Sequence, residues 1–437
     1  MKIPRGKLYI SFYEILLSLF KVFMSIDLVS GKKVDKFNHL IKEYYNKKYC
    51  LSFSTARISF YYYLKSLDLD KGSEVLISPV QIPDFVNVIY TLGLKPVYVK
   101  LDKDSHSMDL DDFKNQITNN TKAILVTHYH GVIGEIENIK KICEDRSIFL
   151  IEDISHAYGS KLDNKLAGTF GNAAVGSLSP GKIVSSVGGG FLILNDSINF
   201  NRIIKDTLND YKKPKKIILY RIIFFQLLVS IVTSKFIFNN ITYYLFLILN
   251  KIKTHKIKDN KDNKTYIKDN IETIYSNPVI LRKIPNYFFY NFLDFQADIA
   301  IKSFNRNLLL GLEKRQNFVK TVIDDLNDEA KSLIPKKIFD HKNWAFWHFP
   351  IIIEKSYIDI CKKFFFKNKI DIVGYGMIFC NKEKSFNNFY REDLDESQKI
   401  YESTLFLPIH DDFNFTDAKK IAQVLNLYVK QLNNNEI

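Results

Sequence analysis

The sequence predicts an α/β fold, with one large, doubly wound, mostly parallel sheet followed by a small C-terminal α/β domain. Between residues 49 and 194, short apolar strands alternate with helical stretches, the order that builds a parallel sheet. The turns that close those strands carry Ser54-Thr55-Ala56, Asp153 and Lys182, where such sheets hold their ligands. A shorter alternation of the same kind follows residue 344.

Taken in order, residues 8–26 read as an apolar helix, and 36–45 as an amphipathic one with Phe37, Leu40, Ile41 and Tyr44 on one face. A strand at 49–53 runs through Ser54-Thr55-Ala56-Arg57 into a helix over 58–67. Strand 74–78, helix 84–92 and strand 95–100 form a βαβ unit of the expected length. The segment 102–117 precedes a strand at 123–127, which ends in His128-Tyr129-His130-Gly131. A helix at 137–144 leads to the apolar run 147–152, so a buried strand delivers Asp153 at its tip. A strand near 173–178 ends in Ser177-Leu-Ser-Pro-Gly-Lys182, and three glycines up to Gly190 precede another strand at 191–194.

After Asn195 this pattern breaks. Residues 212–216 are Lys-Lys-Pro-Lys-Lys, and 217–253 are dense in Ile, Leu, Phe and Tyr, interrupted by Arg221 and Lys235. The uncharged runs 222–234 and 236–250 are 13 and 15 residues long. Both fall short of the roughly 18–20 that a span needs. Basic flanks and aromatic residues predict a hairpin lying in a membrane interface; a helical pair at a subunit interface is the other reading. Residues 251–270 read as a polar loop. Beyond it the sequence predicts a long helix ending near 325, a strand at 344–353, a helix at 357–368, a strand at 370–373, a strand around 402–409 and a closing helix at 416–431. The domains expected are an N-terminal apolar arm (1–30), a large domain (31–300) with the insertion 205–270, and a long helix with the small domain (301–437).

At 437 residues with 46% apolar content, the chain has ample material for a core and is not of the disordered class. Cys50, Cys143, Cys361 and Cys380 have neither metal-type spacing nor a disulfide pattern, which predicts inert thiols in a reducing cytosol and no metal site. Glu14 and Lys21 interrupt the first apolar run and no small-residue cleavage site follows, which argues against a signal peptide. The net charge of +14 comes from dispersed lysines without a nucleic-acid motif. An anionic substrate or membrane surface accounts for it as well, so the expected location is cytoplasmic, peripheral at the inner face of the membrane.

Asp153 and Lys182 need a chemical reason to stand at neighbouring strand tips. Pyridoxal phosphate supplies one, since its aldehyde requires a lysine and its ring nitrogen a carboxylate that keeps it protonated. Ser54-Thr55-Ala56 at a helix start offers free backbone N–H groups to a phosphate, although an ordinary helix cap uses the same residues.

The element Asp153-x-x-His156-Ala157-x-Gly159, with Ser177 five residues before Lys182 and glycines after it, resembles the DegT/DnrJ/EryC1/StrS family of fold-type-I, pyridoxal-phosphate-dependent sugar aminotransferases. The likeness covers about residues 30–200 and 285–435. It implies Lys182 as the catalytic lysine and Asp153, His156, Ser177, Ser54, Thr55, Ala56 and Ile82 as further cofactor contacts. It implies a homodimer that aminates a keto-sugar, nucleotide- or lipid-linked, with glutamate as donor, in surface-glycan biosynthesis. A dehydratase of the same family would carry histidine in place of Lys182. The family's Ser-Gly-Thr-Ala slot here reads Phe53-Ser54-Thr55-Ala56, its ring-stacking aromatic is Ile82, and the Asn that reaches across the dimer is Phe289. These departures leave an altered, membrane-associated relative with a structural or regulatory role as the alternative.

Overall fold

Runs such as Val75-Leu76-Ile77 and Ile124-Leu125-Val126 are apolar on both faces, which fits strands covered by helices on either side. The computed structural model describes residues 2–248, 279–410, 412–434 and 436. Its strands are β1 (Tyr49–Phe53), β2 (Glu74–Ile77), β3 (Val80–Gln81), β4 (Lys95–Tyr98), β5 (Thr121–Thr127), β6 (Phe149–Asp153), the small hairpin β7 (Lys161–Leu162) and β8 (Lys165–Leu166), β9 (Ala173–Ser177) and β10 (Gly190–Leu194). Seven of them form one sheet in the order β1-β10-β9-β6-β5-β2-β4. Five neighbours from β9 to β4 run parallel, while β10 is antiparallel to both β9 and β1. Parallel strands put their C-terminal ends on one edge, so Ile77, Thr127, Asp153 and Ser177 all point to the same side of the sheet.

The helices α1 (Phe12–Met24), α2 (Lys32–Tyr44), α3 (Ala56–Ser66), α4 (Pro83–Thr91), α5 (Leu110–Gln116), α6 (Ile136–Arg146), α7 (Ser197–Asp210) and α8 (Lys216–Thr233) flank or overlie the sheet. Their starts are specified locally. Ser11 and Glu14 form a capping box on α1, and the side chains of Thr55, Asp109 and Asp196 accept from the first turns of α3, α5 and α7. Asp294 accepts from the backbone N–H groups of Gly31, Lys33 and Val34, which caps α2 from a distant part of the chain. The long helix expected up to residue 325 is divided: Asp294–Ser303, a widened turn at Phe304–Leu309, and Leu312–Asp324 after Gly311.

In the C-terminal part, β11 (Phe349–Ile352) pairs antiparallel with β13 (Thr404–Leu407), and β12 (Ile378–Phe379) pairs with β3 in a separate two-stranded sheet. The helices Ile358–Lys367 and Phe415–Asn433 pack beside them.

Three expectations are corrected here. The strand expected at 344–353 starts only at Phe349, because Phe346 takes φ 48° and turns the preceding residues out of the sheet. The strand expected at 370–373 is reduced to isolated bridges, Ile3 with Ile370 and Val373 with Phe406. The apolar insertion does not divide at Arg221: α8 starts at Lys216 and runs 18 residues, long and apolar enough to cross a membrane by length and composition. The polar loop expected at 251–270 lies outside the described residues.

Candidate active site

Strand β6 delivers two adjacent carboxylates with opposite fates. Glu152 faces the core and is fully buried. It accepts from His128 Nε2 at 3.0 Å and from the backbone N–H groups of Gly168, Phe170 and Gly171 at 2.7, 2.8 and 2.7 Å. Burial pushes its carboxyl up, but these donors more than offset that, so it stays below the usual range and charged. His128 is thereby a structural residue, orienting the end of β5 against β6.

Asp153 is 6% exposed, and its carboxyl accepts the N–H of Ser155 at 3.0 Å. Burial raises it above the ordinary aspartate value, while Ser155 and the charges of Lys182 and His128 hold it down. A buried carboxylate so sparsely paired has the capacity to take a strong, charged donor.

Lys182 lies in the loop between β9 and β10, where its N–H donates to Ser179 O at 2.9 Å. The residue as a whole is half-buried. The protein packed around the amine nonetheless desolvates the ammonium and lowers its pKa to about 7, against the opposing pull of Asp153. The amine sits 3.6 Å from the Trp347 ring centroid.

Trp347 is part of an aromatic column that the sequence did not disclose. His156 stacks on Trp347 with centroids 3.7 Å apart, Trp347 on His348 at 3.7 Å, and His348 on Phe406 of β13 at 4.5 Å. Trp347 Nε1 donates to Gly181 O at 2.6 Å, tying the column to the lysine loop. Tyr375 Oη meets His106 Nδ1 and His130 Nε2 at 3.0 Å each. Burial lowers His106 to about 4 against the opposing pull of Asp102; burial first, and then neighbouring charges, lower His348 to about 3 and His130 and His156 well below the usual value, so all four are neutral at physiological pH. His156 Nδ1, His130 Nδ1, His348 Nδ1 and His106 Nε2 are buried without a hydrogen-bond partner.

The turn expected to hold the phosphate lies at the start of α3. Thr55 caps the helix and bridges to Gly189, and a Cβ on Gly190 would lie 2.2 Å from Ala56 N, so glycine is what lets β10 lie against this turn. Ser177 Oγ is 2.9 Å from Ser179 Oγ, at the end of β9. Ser54 is engaged elsewhere, its hydroxyl donating to Phe288 O. Ile82, half-buried, forms the N-terminal cap position of α4. A cavity of about 600 Å³, lined by Lys47, Lys140, Cys143 and Asn172 among others, opens at the starts of β6 and β9, the opposite end of the sheet from Lys182.

These groups fit pyridoxal phosphate, with an amine of depressed pKa, a sparsely paired buried carboxylate, an unpartnered His156 Nδ1 and a helix start with glycine-permitted close approach. Among the described residues no group of three His, Cys, Asp or Glu is placed to hold a metal.

Residues 14–210 match the model of the DegT/DnrJ/EryC1/StrS aminotransferase family. This stretch belongs to that family. The GDP-perosamine synthase of Escherichia coli O157:H7 is 30% identical over 172 residues, 39% of this chain and 47% of that protein, so the match spans about half the relative's length. An uncharacterised protein of Methanocaldococcus jannaschii is 23% identical over 413 residues, 92% of each chain. Among solved structures, the Helicobacter pylori aminotransferase PseC aligns over 98% of this chain and 99% of its own, with TM-score 0.70 and 17% identity. An aminotransferase from Psychrobacter cryohalolentis covers 96% and 97%, with TM-score 0.71 and 14% identity. The whole chain therefore shares the fold of these solved aminotransferases.

The departures from the family pattern have places in this fold. Phe53 is buried and stacks on Tyr62 at 5.6 Å. Phe289 packs on Tyr61 and Tyr62 of its own chain at 5.1 and 5.9 Å. Both positions are thus given to packing.

Proposed function

We propose that this chain is a pyridoxal-phosphate-dependent aminotransferase that converts a keto-sugar, nucleotide- or lipid-linked, into an amino sugar, with glutamate as donor. Acting as a homodimer, it serves the assembly of surface glycans from the inner face of a membrane, which it meets through residues 212–253. The observation that carries the chemistry is the Lys182 amine, held near pKa 7 beside buried Asp153 at the C-terminal edge of the sheet.

When bound, the cofactor supplies an aldehyde that bonds to amines and a ring that withdraws electrons from the neighbouring carbon. Asp153 holds the proton on the ring nitrogen, which that withdrawal needs. Lys182 Nζ, about half uncharged at neutrality, would take the proton from the donor's α-carbon and return it at the cofactor's C4′. In the second half the same atom moves the proton the other way, onto the sugar carbon that receives nitrogen. His156 offers its unpartnered Nδ1 to the ring substituents. Thr55 and Ala56, at the head of α3, donate backbone N–H groups to the phosphate. Trp347 covers the amine and excludes water, and the neutral side chains of His130, His348 and Tyr375 present hydrogen-bonding atoms suited to sugar hydroxyls.

The test is reconstitution of the purified chain with the cofactor, borohydride reduction and peptide mapping. The cofactor's mass is expected on Lys182, and glutamate should bleach the yellow colour while 2-oxoglutarate forms. Reduction trapping a different lysine, or colour unaffected by every amino acid offered, overturns the proposal.

A further inference from the structure

The insertion does not stand alone on the surface. Helix α8 packs along α1, nearly two hundred positions earlier in the chain, with Ile15 and Val22 of α1 against Leu219 and Ile223 of α8 over Val187, Leu293, Phe295 and Ile299. Lys216 Nζ reaches Phe23 O at 3.4 Å. The buried stripes of the two helices are spent on this contact. What remains outward is again apolar: Phe12, Tyr13, Leu16, Phe20 and Phe23 on α1, and Ile217, Phe224, Phe225 and Leu228 on α8. Tyr13, Phe23 and Phe225 are 70%, 71% and 67% exposed. Phe236, Ile241, Tyr244 and Leu245 extend the surface beyond α8. An amphipathic helix exposes its polar face; these two expose a second apolar one.

Charge identifies what covers it. From Tyr211 to Ile248 the sequence has no acidic residue, while Lys212, Lys213, Lys215, Lys216 and Arg221 are all exposed. The acids near α1 are already engaged: Glu14 with Arg306, Asp27 with Lys21 and Lys33, and Asp298 with Lys302. A two-fold contact between copies would set this basic segment against itself. An anionic lipid surface matches both the charge and the apolarity. Helix α8 has the length to cross a bilayer, but one face is fixed to α1 and Arg221 stands on its exposed side, so it lies along the surface.

We infer that α1 and α8 together form one composite docking face for an anionic bilayer, oriented by the basic run at the start of α8. The inference rests on the membrane reading of 212–253 given above, not on the chemistry at Lys182. The face is built directly onto the lysine loop: Val187 lies in its core, and Tyr9 N, just before α1, donates to Pro180 O at 3.1 Å. Docking therefore sets the reaction centre at a fixed distance from the headgroups.

The test is flotation of the full chain with vesicles of phosphatidylcholine containing phosphatidylglycerol, or of phosphatidylcholine alone. Two doubly substituted variants are compared with the parent, Phe20→Ser with Phe23→Ser on α1, and Phe224→Ser with Phe225→Ser on α8. All four residues are exposed, and retention of the cofactor's colour verifies the fold. Each pair is expected to weaken binding to anionic vesicles by about tenfold or more. Lys212→Glu with Lys213→Glu should do the same, and salt should weaken the parent. Loss with the α8 pair alone overturns the composite face and leaves the insertion as the anchor. A parent that does not float overturns the composite and the membrane reading together. Equal binding to uncharged vesicles removes the basic run from the account. Conversion of a dimer to a monomer by either pair, with no flotation of the parent, shows the face to be an interface between copies and overturns the inference.

Discussion

The titration of Lys182 is the most direct check on the site. An ordinary lysine at pH 7 has about one amine in three thousand uncharged. With its pKa lowered to about 7, Lys182 has about half. In the cofactor-free chain, an acylating reagent read by peptide mapping should therefore label Lys182 in preference to exposed lysines, even after a discount of about tenfold for restricted access. The labelling rate should rise through about pH 7 and level off well before exposed lysines respond. Asp153→Asn separates the causes. Burial is the larger influence and persists in the variant, while the charge that favours the ammonium is gone. The midpoint should move to lower pH, so the variant labels faster than the parent at about pH 6 although its turnover is lower. The sign for stability follows by linkage: the folded pKa lies below the unfolded one, so the unfolded chain holds the extra proton between about pH 7 and 10.5. The cofactor-free fold should thus gain stability as pH rises through that window. A wild-type midpoint above about pH 9, or an upward shift in Asp153→Asn, would refute the reasoning.

In the cofactor-loaded enzyme, Asp153→Asn should slow the half-reaction with glutamate by roughly a hundredfold or more, measured by stopped-flow absorbance; near-normal rates contradict its role. Glu152→Gln replaces the charged acceptor for His128 and three backbone N–H groups, a loss of about 3–5 kcal/mol. Calorimetry should show melting lowered by several degrees, and an unchanged melt would mean that the His128 contact is not structural. Gly190→Ala places a Cβ 2.2 Å from Ala56 N, so the start of α3 must shift. Cofactor titration should then show affinity reduced about tenfold or more in a chain that still folds. Sedimentation of the loaded enzyme should give a dimer, and an active monomer at assay concentration would remove the partner from the proposal.

The large sheet was legible because its information is local. Apolar runs of strand length with polar breaks specify β1, β2, β5, β6 and β9, and the chemistry at Asp153 and Lys182 sits within a residue or a short loop of their ends. Trp347 and His348 were not legible as site residues, since they lie in a run rich in aromatics that reads as strand. Only the left-handed turn at Phe346 and the stack on His156 bring them to the lysine. The same holds for His130 and Tyr375, which are 245 positions apart and meet through tertiary packing. Helix α8 was misjudged at its start because Arg221 was treated as a boundary. On a helix with one exposed side, a charge sits there without interrupting the backbone. Ser54 illustrates the limit of motif transfer, since its hydroxyl is consumed by a carbonyl more than two hundred residues away.

The segment ahead of α1 has a consequence for biosynthesis. Ile3 bridges Ile370 and Arg5 pairs with Asp371, 366 positions later in the chain, while Tyr9 contacts the lysine loop. At ribosomal speeds of about 5–20 residues per second, the residues around Arg5 are exposed on the order of twenty to seventy seconds before Asp371 exists. Throughout that interval α1 has neither α8 nor the C-terminal strands to shield it, and its aromatic stripe is open to whatever lies near the exit tunnel. Closure of these contacts is thus deferred until residue 371 has been made, and the aromatic stripe of α1 waits uncovered until then.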